Sequence, residues 1–212
     1  MLYYWSIIIV FIISLDPLKA QDERYFRKMF SGDLVKEQIT TRPHNINFQI
    51  NRNSYRIDLN DDGIEEILEP QKRDGVDWIE IRNSSGNKIF EGKIFAIGAE
   101  SHLYKIKLVN LSSKIKALIL FMDEGKISGK RFESTARIFV LSFENNNLSK
   151  IHLSQGPHFF HEKEAQREQY WRRIYNVNIR DIDNDGVREI CIQYNKIQRI
   201  MRYVANGEWD RI

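Results

Sequence analysis

From Ile46 to the C-terminus the chain alternates apolar and polar residues in short runs, the period of half-buried strands. NFQI and YRID come first, followed by IEEILEP, DWIEIR and NKIFEGKIFAIG. Asn83-Ser84-Ser85-Gly86 lies between two of these runs and has the composition of a hairpin turn. The layout then repeats. LYKIKLVNL and the strongly apolar KALILFMD predict two strands, a polar stretch from Glu124 to Glu133 predicts a loop, and ARIFVLSFE and LSKIHLS predict a pair across Asn145-Asn146-Asn147. After Ile174 it repeats again as IYNVNIRD, REICIQYNK, IQRIMRYV and WDRI, the last two joined by Asn206-Gly207, whose residues tolerate the positive φ of a tight hairpin.

Two stretches break the strand pattern. Between Asp22 and about Ile39 the apolar residues Tyr25, Phe26, Met29 and Phe30 recur at helical spacing, which predicts a helix packed on the body or held for a partner. Between Pro157 and Tyr170 the run HEKEAQREQYWRR is charged and rich in helix formers, which predicts an exposed helix or long loop. On such a helix His158, His161 and Glu164 would share one face. They could hold a transition metal there, or form an ordinary solvated face.

Ahead of these, Leu2 to Leu15 is almost wholly apolar and Pro17 ends the run. About 14 apolar residues suit a signal-peptide core and fall short of a membrane span, although MLYYWS carries no Lys or Arg. Cleavage after Ala20 would leave no stable span in the mature chain; an uncleaved anchor is the alternative. The expected order is a signal peptide over 1–20, a helical segment over 21–45 and a β domain over 46–212. The β units fall at about 46–100, 101–156 and 171–212, with a helical insertion at about 157–170. Repeated β units of this size are the signature of propellers or arrays. The fold class is therefore mainly β, a propeller-like array of about three four-stranded antiparallel units. Closed propellers need four or more blades, so the NFQI strand or the N-terminal segment would have to complete a ring.

Composition changes this picture little. A net charge of +3, with acidic and basic residues interspersed, gives no nucleic-acid footprint. The single cysteine, Cys191, excludes an intramolecular disulfide and a cysteine zinc site, and reads as a buried strand residue.

The candidate chemistry lies in two loops of the same design, Asp58 to Glu66 (DLNDDGIEE) and Asp181 to Glu189 (DIDNDGVRE). Each puts oxygen-bearing side chains at positions one, three, five and nine and glycine at six. Ca²⁺ takes six to eight oxygens, which a tight turn of this kind can wrap around it. The side-chain ligands would be Asp58, Asn60, Asp62 and Glu66 in the first loop, and Asp181, Asp183, Asp185 and Glu189 in the second. The carbonyls of Ile64 and Val187 would complete them. Crowded carboxylates disfavour one another's ionisation, which a cation relieves. A metal-free turn, in which Asp and Asn bond their own backbone, is the alternative. The middle unit has Leu111-Ser112-Ser113-Lys114 at the equivalent place, where Lys114 and Lys116 would repel a cation.

An EF-hand has an aliphatic residue at position eight, a bidentate acid at twelve and flanking helices. Here Glu69 does fall at twelve of the first loop, but Glu65 and Arg188 stand at eight, Ile192 stands at twelve of the second loop, and both loops join strands. The loops and their flanking strands resemble the Ca²⁺ loops of FG-GAP/VCBS-type repeats, found in integrin α-chain propellers and in many exported bacterial proteins. The Phe-Gly and Gly-Ala-Pro elements that name that family are missing, and Gly98-Ala99 is a faint echo of them. The resemblance implies that each acidic loop joins the first two strands of a blade, with the acid at nine completing the ion's shell. It implies two Ca²⁺ sites, built from the ligands given above.

No G-x-S-x-G, H-E-x-x-H or phosphate-binding glycine loop is present. The leading expectation is a secreted, periplasmic or cell-surface binding or structural module that is not catalytic. Ca²⁺ would rigidify its turns, and its ligand would be a protein or carbohydrate. The rival is a small exported hydrolase acting on polysaccharide. A pocket with two carboxylates roughly 5–10 Å apart would favour the rival. Exposed Phe159, Phe160 and Trp171 on one face would favour binding.

Overall fold

The computed structural model describes residues 54–98, 101–126, 133–164 and 170–212. The expected signal peptide, the helical segment over 21–45 and the NFQI strand lie outside these residues. The described chain is three antiparallel sheets, each a meander in which every strand pairs with its neighbour in sequence. The first sheet is β1 (Tyr55–Ile57), β2 (Glu66–Arg73), β3 (Val76–Arg82) and β4 (Lys88–Ile94). The middle sheet is β5 (His102–Asn110), β6 (Ile115–Lys126), β7 (Glu133–Glu144), β8 (His152–Glu164) and β9 (Tyr170–Ile174). The third is β10 (Asn176–Arg180), β11 (Glu189–Tyr194), β12 (Ile197–Tyr203) and β13 (Trp209–Arg211).

Two expectations are corrected. The insertion at 157–170 is not helical where it is described: β8 runs through Glu164, and β9 begins at Tyr170. Helix propensity loses here to pairing and burial. Residues Phe160 to Glu164 pair with β9, and Glu162 and Lys163 also pair with β7. Phe159 and Phe160 are buried in the core. Propensity is worth only tenths of a kcal/mol per residue, about 0.7 at most for ordinary residues, so buried aromatic area outweighs it. The second correction follows from the first, because β9 gives the middle unit five strands where four were expected. The only helical turn among the described residues is a single 3-10 turn at Leu148–Lys150, capped by the Asn147 side chain.

The middle sheet is buried on both faces, which is why its central strands read as nearly unbroken apolar runs. On β6, Leu118, Leu120 and Met122 pack toward the first sheet with Ile57, Leu68, Ile79 and Ile81. Their neighbours Ala117, Ile119 and Phe121 pack toward the third sheet with Ile190, Ile192 and Met201. The period-two alternation of a strand sends successive side chains to opposite faces, so one strand feeds both cores. The outward face of the first sheet is charged instead. Glu80, opposite Glu69 on β2 and Glu91 on β4, is covered by Arg73 and Arg82, with Arg73 Nη2 2.9 Å from Glu80 Oε2. A face of this kind ends a stack, as polar capping faces do in repeat proteins.

Tight turns hold the meanders. Asp74-Gly75 between β2 and β3 and Asn206-Gly207 between β12 and β13 all have positive φ, the type I′ conformation that matches strand twist. Gly207 also lies against His152, where an added Cβ would come within 2.1 Å of the ring.

Candidate metal centre

The three β units place an equivalent turn between their first two strands, and the three turns lie in a row. The first acidic loop joins β1 to β2, residues 111–114 join β5 to β6, and the second acidic loop joins β10 to β11. The row is stitched together by Lys116 Nζ, which donates to the Leu59 carbonyl, and by Arg188 N–H, which donates to the Leu111 carbonyl.

The two acidic loops are built alike. At position one, Asp58 accepts the Gly63 N–H at 2.9 Å and Asp181 accepts the Gly186 N–H at 3.0 Å. At position five, Asp62 accepts the Ile64 N–H and Asp185 the Val187 N–H, both at 2.7 Å. At position nine, Glu66 accepts the Leu59 N–H at 2.9 Å and Glu189 the Ile182 N–H at 2.8 Å. Positions four and six adopt left-handed backbone in both, at Asp61 (φ 58°) and Gly63 (φ 83°) and at Asn184 (φ 60°) and Gly186 (φ 85°). Asp and Asn reach this region more readily than other side-chain-bearing residues, and glycine reaches it without strain. Part of the acidic complement therefore shapes the turn itself, as Asx turns do.

In the second loop this leaves oxygens over. Asp181, Asp183 and Glu189 offer carboxylate oxygens that all lie within 4.8 Å of one another, the only such group among the described residues. Glu189 is fully buried, and its Oε1 has no hydrogen-bond donor. Asp181 Oδ1 is likewise buried without a donor. Buried carboxylate oxygens without donors are costly, and a bound metal ion is one group that would satisfy them. The donor set fits Ca²⁺ in kind. Of the residues expected from the sequence, Asp185 stands outside the cluster and spends Oδ1 on the turn.

The first loop is drawn together less. Position three is Asn60, whose amide donates to Asp62 Oδ2 at 2.8 Å and whose Oδ1 accepts the Asp62 N–H at 3.2 Å. The Ile64 side chain points to solvent, 52% exposed. Glu66 is buried, and this burial raises its carboxyl above the usual carboxylate range. The Leu59 N–H works against the rise, while the Asp62 and Asp58 charges add to it. Lys116 was expected to repel a cation at the middle turn. Instead its ammonium reaches the first loop, 2.5 Å from Asp61 Oδ2.

His158, His161 and Glu164 form no cluster. They lie on β8, where His158 Nε2 is 2.7 Å from Glu124 Oε2 and His161 Nε2 is 2.8 Å from Glu133 Oε1. Glu124 is fully buried and also accepts from Thr135 Oγ1 at 2.8 Å and Arg137 Nε at 3.2 Å. The polar stretch from Glu124 to Glu133 predicts a loop, yet Glu124 lies on β6, with partners supplied by β7 and β8. The exposed aromatic face that would have favoured binding is not seen: Phe159 and Phe160 are core residues and Trp171 is half-buried.

A cavity of about 1050 Å³ lies beside the first sheet and β5. Two carboxylates line it, Glu69 and Asp77. Both are engaged. Asp77 accepts the Ser101 hydroxyl and sits 3.7 Å from Lys72 Nζ, and Glu69 Oε2 is 3.4 Å from Arg82 Nε. Among the described residues no helix is long and apolar enough to cross a membrane. Compared with protein-family models, with curated proteins and with solved structures, the chain returns no match.

Proposed function

We propose that this chain is an exported Ca²⁺-binding β-repeat protein of FG-GAP/VCBS type, acting as a binding or structural module and not as a catalyst. Ca²⁺ sits in the strand-connecting loops and stiffens them, with the second loop as the principal site. The observation that carries this reading is the meeting of Asp181, Asp183 and a fully buried Glu189 whose Oε1 lacks a donor. Support comes from the duplicate turn geometry of the first loop and from the row that the three turns form. The three meanders are successive blade-like units of an open array, ended on one side by the charged face of the first sheet. The partner is a protein or carbohydrate of the extracellular or periplasmic space.

The test is calorimetric unfolding of the purified protein in EGTA and in Ca²⁺. An ion that binds only the folded state stabilises it by mass action, about 2.7 kcal/mol at a hundred times Kd. For a protein of this size that is a rise in melting temperature of about 5 °C or more. Asp181→Ala should abolish most of the rise. An unchanged melting temperature in Ca²⁺ would overturn the metal reading.

A further inference from the structure

The second acidic loop has a cation of its own. Arg202 on β12 places Nη2 2.7 Å from Asp183 Oδ2 and Nε 3.7 Å from Glu189 Oε1. The Nε contact is a matter of charge alone, since neither Arg202 Nε nor Glu189 Oε1 has a hydrogen-bond partner. One guanidinium thus faces the carboxylates whose oxygens converge within 4.8 Å. An ion bound by those oxygens would lie a few ångströms from a like charge, and like charges about 4 Å apart repel substantially at protein surfaces.

We infer that Arg202 is a built-in competitor for the divalent cation at this loop, its guanidinium leaving Asp183 when the ion enters. The inference rests on the metal reading proposed above. The Arg202 side chain is 37% exposed, so its guanidinium has an open side toward solvent. It also has somewhere to go, since Arg202 pairs in register with Asp210 on β13, and Asp210 is exposed. Opposite charges directly across an antiparallel pair attract. The loop therefore has two arrangements in which a cation faces its carboxylates. In one, Arg202 holds Asp183 and Glu189. In the other, the ion takes the carboxylates and Arg202 turns to Asp210. Affinity for the ion is then set by the exchange and lies below what the oxygen set alone would give.

The test is isothermal titration of Ca²⁺ into the full chain in an Asp58→Asn background, which leaves the second loop as the reporter. Arg202→Gln should tighten binding about tenfold, and Arg202→Lys, which keeps the charge but loses the fork, should change it less. Unfolding in EGTA establishes that each variant is folded. In the otherwise unaltered protein, the Arg202 Nε–Hε resonance should shift as Ca²⁺ is added. If Ca²⁺ binds and Arg202→Gln leaves the affinity unchanged or weaker, Arg202 is a support of the loop and the inference falls. An Arg202 resonance that stays still while Ca²⁺ binds would overturn it equally. If Ca²⁺ binds neither the parent nor Arg202→Gln, the metal reading itself has failed and the inference goes with it.

Discussion

Lys116 Nζ lies 2.5 Å from Asp61 Oδ2, so a side chain of the middle sheet neutralises part of the first sheet's acidic loop. The lysine is buried and Asp61 is exposed, which makes this contact a tether between layers. Lys116→Met keeps the length of the side chain and removes the charge. It should cost about 1–2 kcal/mol in chelator, the worth of a charged hydrogen bond with one partner in water. Urea unfolding in EGTA measures it.

The two loops should respond unequally to Ca²⁺. Asp181→Ala removes a member of the converged cluster, whereas Asp58→Ala acts on a loop whose Asn60 amide is turned toward Asp62. Asp181→Ala is expected to remove the larger share of the Ca²⁺-dependent rise in melting temperature. Equal losses in paired calorimetric scans would show that the first loop binds as well as the second.

Glu124 links stability to acid. Burial pushes its carboxyl up, but hydrogen bonds from His158 and Thr135, with the His158 and Arg137 charges, outweigh burial and hold it below the usual carboxylate range. A carboxyl lowered by folding adds stability that is fully present above its unfolded pKa, near 4.5, and is lost as pH falls through the folded value. Glu124→Gln should flatten that acid limb. It should also cost about 3 kcal/mol at neutral pH, because Arg137 and His158 lose their buried partner. Denaturant titrations from pH 7 down to pH 3 follow both effects.

Tyr203 does the same on the alkaline side. Its hydroxyl donates to Glu144 Oε1 at 2.6 Å and accepts the Gly207 N–H at 2.9 Å. Burial first, then the Glu144 carboxylate, push it up to about 12 from an ordinary value of 10.0. Folding stability from this group is fully present below pH 10 and is lost as pH rises through about 12. Tyr203→Phe should remove a late tyrosinate step from the ultraviolet titration and cost about 1 kcal/mol.

The strands were legible because most are buried on one face or on both. Alternation marks the first kind, and KALILFMD and ARIFVLSFE mark the second. The acidic loops were legible because turn chemistry is local: the glycine at six and the acids at one, five and nine act within nine residues. What stayed hidden is non-local. His161 to Glu164 open a run of helix formers, and strand pairing within the middle sheet overrides that propensity in these four residues. Glu124 and His158 meet across 34 residues, and Lys116 serves the loop of a different sheet. Nothing in the sequence brought Arg202 to the second loop, since its place beside Asp183 and Glu189 is set by the register of β12.

Among the described residues each strand pairs with its sequence neighbours alone, and the sheets also stack in chain order. Each meander can therefore close through short hairpins soon after its residues leave the ribosome, without waiting for a distant strand, and small loop closures are fast. The middle sheet is the exception, because both of its faces are apolar. Until β10 to β13 arrive, Ile119, Phe121, Ile138 and Val140 lack the layer that Ile190, Ile192 and Met201 supply. The nascent chain is thus most prone to aggregate in the interval between completion of the second sheet and arrival of the third, and a chaperone that shields apolar sheet surface would act in that interval.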